Sequence, residues 1–208
     1  MKNILLVGDS IRLGYDQAVK KTLEGKANVY APTENCRFAA YVLRYLHEYR
    51  ELVPGEVDLI HWNAGHWDCL HILDEEAQTP LEIYAYYIER ICQRIKKVFP
   101  KAKVVFATCT SVQTEKMRPG FTRYNEEIEA YNAAAVAIVK KYGFYVNDLY
   151  PVSKALPEEA HSDGVHYYTP IATEAFARQT LSVIAPLVDI HEPLEYKEVV
   201  YTGSPLGS

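Results

Sequence analysis

The sequence predicts an α/β protein: a five-stranded parallel sheet with helices packed on both faces. Three observations predict it. Short runs of branched apolar residues alternate with longer helical patterns along the chain. The first run, Ile4-Leu5-Leu6-Val7, is apolar at every position, as a strand buried on both faces is. No internal repeat or low-complexity tract interrupts the alternation. Strands joined through helices run parallel by right-handed crossovers, and this divides the helices between two faces. A chain of 208 residues suits one domain with a full-sized core. That domain is read as residues 1–202, with the small, polar Gly203-Ser204-Pro205-Leu206-Gly207-Ser208 as a tag or disordered tail.

After the first strand, Gly8 allows a tight turn. Leu13, Ala18, Val19 and Leu23 then have the spacing of a helix that Gly25 ends. Ala27 to Ala31 reads as a second strand stopped by Pro32, and residues 33–37 as a loop before a helix from Phe38 to Val53 that halts at Pro54-Gly55. Val57 to Trp62 alternates and reads as the third strand. The connection from Asn63 to Pro80 is long for a compact domain, and such loops tend to be functional. Ile83, Tyr87, Ile91, Ile95 and Val98 share one face of a helix over 81–99, and Ala102 to Ala107 is the fourth strand. Asn125 reads as the N-cap of a helix with Glu126 and Glu127 in its first turn, ending at Lys140-Lys141. A short fifth strand covers 144–146, a polar loop 157–168, and Pro170 opens a last helix reaching Leu187.

Ligands on parallel sheets bind at the carboxyl ends of the strands. Ser10, the Asn35 loop, the Asn63 loop and the segment after the fifth strand therefore share one rim. Lys and Arg are scattered and the net charge is −5, which argues against a nucleic-acid partner. No apolar stretch approaches a membrane span and none resembles a signal peptide, so no membrane partner is expected. A cytoplasmic location is expected, although a secreted chain trimmed of its signal would read the same way. Cys36, Cys69, Cys92 and Cys109 contain no CxxC pair and read as free thiols.

Two segments carry chemistry. Ser10 stands at the end of a buried strand where a helix begins, a position for either a helix cap or a nucleophile. Asp163 and His166 lie three residues apart around Gly164, so the carboxylate can orient the imidazole as a general base. Alone, the second segment reads equally well as a surface turn. Together the segments supply nucleophile, orienting acid and base on one rim, in the order Ser, Asp, His.

The pair resembles the GDSL or SGNH hydrolase family: Gly8-Asp9-Ser10-Ile11, continued to Gly14, is similar to its first block and Asp163-Gly164-Val165-His166 to its last. The resemblance spans residues 3–188. It implies a flavodoxin-like three-layer sandwich, Ser10 as nucleophile, and Asp163 and His166 as its partners. The middle blocks depart from the pattern. Trp67 stands where the family's third block has its oxyanion Asn, and the second block, Glu34-Asn35-Cys36-Arg37, lacks the usual glycine. Asn63 is the candidate replacement amide, beside the Ser10 N–H and an N–H near Asn35.

Asp9, His66, Trp67 and Arg118 are assigned to substrate contacts, with the arginines of residues 118–123 placed to meet polar or anionic groups. Trp62 reads as core or as a wall of the site. His66, Asp68 and His71 could be metal ligands, but they lack a tight HxH or HxxxH pair, and neither metal nor cofactor is expected. The 17 tyrosines fit packing, a sugar-binding face or an oligomer face, which leaves a homo-oligomer open. The resemblance implies a serine esterase acting on a small acyl group such as acetyl on a carbohydrate. A lipase, thioesterase or lysophospholipase is the alternative of the same class, and a non-catalytic carbohydrate-binding or scaffold protein that of another.

Overall fold

Parallel strands β1 (Lys2–Val7), β2 (Ala27–Tyr30), β3 (Leu59–Trp62), β5 (Lys103–Ala107) and β7 (Tyr145–Asn147) form one sheet in the order β2-β1-β3-β5-β7. The computed structural model describes residues 1–206. Alternation along β1 serves both faces. Leu5 and Val7 enter a core with α2 (Ala39–Tyr49), α3 (Leu81–Val98) and α4 (Asn125–Lys141). Ile4 and Leu6 enter a second core with α1 (Ser10–Thr22) and α6 (Pro170–Leu187). The five-stranded, doubly covered sheet expected from the sequence is therefore present.

Chain order reverses between β1 and β3, which both lie at the centre of the sheet. Open parallel sheets bind ligands at such a reversal, beyond the strand carboxyl ends. Ser10 follows β1 there, and Asn63 follows β3.

The structure refines several elements. The first helix starts at Ser10, and the second ends at Tyr49 in a 3-10 turn over Arg50–Leu52. The long 63–80 connection holds a two-residue strand, β4 (His71–Ile72), antiparallel to β6 (Phe121–Thr122) from the loop after β5. A short helix, α5 (Leu149–Lys154), follows β7, ahead of the polar loop over 157–168. Tyr124, not Asn125, is the N-cap of α4; Asn125 instead bridges Val112, accepting its N–H and donating to its carbonyl, both at 3.0 Å. Among the described residues no helix is long and apolar enough to cross a membrane.

Candidate functional site

Ser10 is the first residue of α1. The cap of that helix is Asp9, whose Oδ1 accepts the Ile11 N–H at 2.9 Å, so the Ser10 hydroxyl is not spent on capping. This corrects the assignment of Asp9 to substrate contact: the side chain is wholly buried, and burial pushes its carboxyl above the usual range, opposed by the Asn63 amide. Gly8 lets the turn close, because a Cβ there would stand 1.9 Å from Asn63 Oδ1.

The other half of the site comes from the loop entering α6. Asp163 Oδ1 accepts the N–H groups of Val165 and His166, both at 2.7 Å, which folds the loop into one turn and aims the ring. Asp163 Oδ2 accepts the proton of His166 Nδ1 at 2.7 Å, leaving Nε2 as the acceptor for the Ser10 hydroxyl at 2.9 Å. Partial burial raises the Asp163 carboxyl, but the hydrogen bonds from His166 and the backbone outweigh it and hold the group well below the usual range. Ser10, Asp163 and His166 are thus brought together as the sequence predicts.

Two supports escape sequence reasoning. Tyr168 OH donates to the Ser10 carbonyl at 2.8 Å, and its ring lies 5.1 Å from that of His166. Gly164 docks so closely on the Lys116–Met117 backbone that a Cβ would come within 2.9 Å of it, and its carbonyl accepts the Gln113 N–H at 2.8 Å.

A cavity of about 480 Å³ opens beside Ser10 and His166. His66, Trp67 and Arg118 line it, together with Arg123 and the apolar Leu70, Met117, Phe121 and Val165. The chain end read from the sequence as a tag or disordered tail also reaches it. Ser204, Pro205 and Leu206 line the cavity, while residues 207 and 208 lie outside the described residues. Asn35 holds that segment, donating its N–H to the Leu206 carbonyl at 3.1 Å and its amide to the Pro205 carbonyl at 2.8 Å. Its Oδ1 accepts the Arg37 N–H at 2.7 Å.

Asn63 leaves β3 on the expected rim; its side chain is 3% exposed, against 4% for Ser10, and packs on Gly8 beside Asp9. Trp62 is core, fully buried and edge-on to Phe106. The three residues of the metal alternative diverge. His66 Nε2 pairs with Thr110, Asp68 takes the Ala39 N–H at the start of α2, and His71 Nε2 meets Glu127 at 2.6 Å. Among the described residues no group of three or more His, Cys, Asp or Glu converges to hold a metal.

Burial pushes Asp68 up to about 7. A raised acid binds its proton more tightly folded than unfolded, so this group's contribution to stability is present below the unfolded carboxylate pKa and is lost as pH rises toward 7. Asp68→Asn keeps an acceptor for Ala39 N–H and is expected to flatten the fall in melting temperature between pH 5 and 8. Parallel melting curves for the variant and the parent would contradict this assignment.

No protein-family model matches the chain, and no curated protein matches it in sequence. Solved structures do match. A lipase/acylhydrolase from Enterococcus faecalis is 19% identical, with a TM-score of 0.69 over 96% of this chain and 100% of that one. A GDSL-like lipase from Bacteroides thetaiotaomicron is 18% identical, with a TM-score of 0.68 over 89% and 88% of the two chains. The carbohydrate acetylesterase Est24 from Sinorhizobium meliloti is 13% identical, with a TM-score of 0.65 over 90% and 100%. The chain has the three-layer α/β fold of the GDSL/SGNH hydrolases.

Proposed function

We propose that the chain is a serine esterase of the GDSL/SGNH type that removes a small acyl group, acetyl, from a carbohydrate. The observation that carries the reading is the continuous hydrogen-bond chain from Ser10 Oγ through His166 to Asp163. A serine hydroxyl is a weak nucleophile until a base takes its proton, and His166 Nε2 is already its acceptor. Ser10 Oγ attacks the ester carbonyl, His166 receives the proton and returns it to the leaving alcohol, and Asp163 stabilises the imidazolium. Water, activated by the same histidine, then releases the acid.

The oxyanion needs donors aimed at the developing charge. The Ser10 N–H at the positive end of α1 is one. Asn35 offers two more, and their present use supports the role: both hold carbonyl oxygens of the chain end beside the cavity. A substrate carbonyl reaches these donors once Pro205 and Leu206 withdraw. Asn63 acts behind this site by seating the Gly8-Asp9 turn.

The substrate reading draws on the fold likeness to Est24, a carbohydrate acetylesterase, and on Trp67 in the cavity wall, a surface for a sugar ring. Rates on p-nitrophenyl acetate, p-nitrophenyl octanoate and acetylated xylan or chitin fragments test it. Acetate release from the glycans and a higher kcat/KM on acetate than on octanoate are expected. Preference for octanoate with no acetate release would move the reading to a lipase or thioesterase.

A further inference from the structure

We propose that the ester taken by this cavity bears a carboxylate, held by Arg123 at the cavity wall and Arg118 at its mouth. The inference deepens the esterase reading and rests on it for the word ester. Arg123 follows β6 and is 8% exposed. Its Nε donates to the His66 carbonyl at 2.5 Å, while its terminal nitrogens have no hydrogen-bond partner among the described residues. An arginine keeps its charge in proteins, and burying that charge costs several kcal/mol unless a partner offsets it. Nothing described here offsets it by contact: neither Arg123 nor Arg118 belongs to a salt bridge among the described residues.

The carboxylates nearby are already engaged. Asp163 has both oxygens in hydrogen bonds with His166 and the 165–166 backbone, and Asp9 caps α1. Lys116, also on the wall, is paired with Glu158. Arg118 lies 3.6 Å over the Phe121 ring, which holds an exposed guanidinium at the rim. His66 adds no competing charge, because burial, with Arg123 beside it, keeps its imidazole well below the ordinary range. The result is a cavity with two unpaired guanidinium groups in a chain of net charge −5.

A planar guanidinium fork matches a carboxylate, which it can grip through two parallel bonds. A purely structural Arg123 would need only Nε for the His66 carbonyl. The terminal pair, left over on a residue that lines the cavity, is the part that points to a ligand. The carboxylate could sit on the alcohol of the acetyl ester, or on the acyl part in place of acetyl, and the two are separable.

Calorimetric binding to the wild-type protein tests the proposal with amides in place of esters, so the readout does not require turnover. One pair is 4-acetamidobenzoate against uncharged 4-acetamidobenzamide, which places the charge on the leaving side. The other is glutaranilate against pentananilide, which places it on the acyl side. The anion of one pair is expected to bind at least ~10-fold tighter than its neutral partner, equivalent to about 1.4 kcal/mol, and that pair identifies the side. The preference should shrink with added salt and narrow in both Arg123→Gln and Arg118→Ala. Should Arg123→Gln fail to fold, Arg118→Ala at the exposed rim and the salt series decide the matter. Equal or undetectable binding of both members of both pairs overturns the proposal, as does a preference that survives in both variants. If the anions bind selectively while no ester is turned over, the esterase reading fails and the anion site stands.

Discussion

Asp163→Asn is expected to lower kcat on p-nitrophenyl acetate by about 10⁴-fold with the protein still folded, the scale known for this change in serine hydrolases. The two carboxylate oxygens of Asp163 do different work. Oδ1 holds the backbone N–H groups of Val165 and His166, and an asparagine oxygen can continue to hold them. Oδ2 accepts from His166 Nδ1, and in the variant an NH2 group would face that nitrogen instead. The imidazole must then present Nδ1 as an acceptor, which puts its proton on Nε2, pointing at Ser10. A base already protonated on that side cannot take the serine proton. Matching circular dichroism and melting temperature with lost turnover is the expected signature. Retained turnover would remove Asp163 from the mechanism.

Arg12→Ala is expected to cost about 3–5 kcal/mol of stability, as breaking a buried ion pair does, a drop of roughly 6–20 °C in melting temperature for a domain of this size. Arg12 is fully buried. Its guanidinium meets Asp16 at 2.5 Å, the Pro32 carbonyl at 2.8 Å, the Glu34 carbonyl at 2.6 Å and the Gly8 carbonyl at 3.2 Å. Removing it leaves the buried Asp16 with only the Gln17 amide at 3.1 Å and takes the guanidinium from the Pro32, Glu34 and Gly8 carbonyls. Those carbonyls belong to the turn carrying Ser10 and the loop carrying Asn35, which also meet directly where Cys36 N–H donates to the Gly8 carbonyl at 3.0 Å. Arg12→Lys keeps the charge for Asp16 but cannot span all the carbonyls. It is therefore expected to melt closer to the parent while losing kcat through a looser Asn35 loop. A melting temperature unchanged in Arg12→Ala would contradict the clamp.

What the sequence made legible follows the range of the interactions involved. Strands such as Ile4–Val7 and the helix over 81–98 announce themselves through local apolar patterns, and the structure keeps them with small shifts at their ends. Ser10, Asp163 and His166 were legible because each of the two segments is built by contacts within a few residues: the Asp9 cap on one side, the Asp163 turn on the other. Asn63 was legible as a rim residue from its chain position, whereas its packing depends on the absence of a side chain at Gly8 and no local pattern marks it. Arg12, Tyr168 and the burial of Arg123 rest on partners tens of residues away or more, and no local pattern marks them. The contacts of the chain end with Asn35 were equally invisible, since small polar residues carry no periodicity.

The most direct test of the central claim is the intact mass of the protein after exposure to a fluorophosphonate, followed by peptide mapping. One adduct on Ser10, absent from Ser10→Ala and slowed strongly in His166→Ala, is the predicted result. No adduct on the folded parent, or equal labelling of parent and Ser10→Ala, would contradict the assignment of Ser10 as the nucleophile.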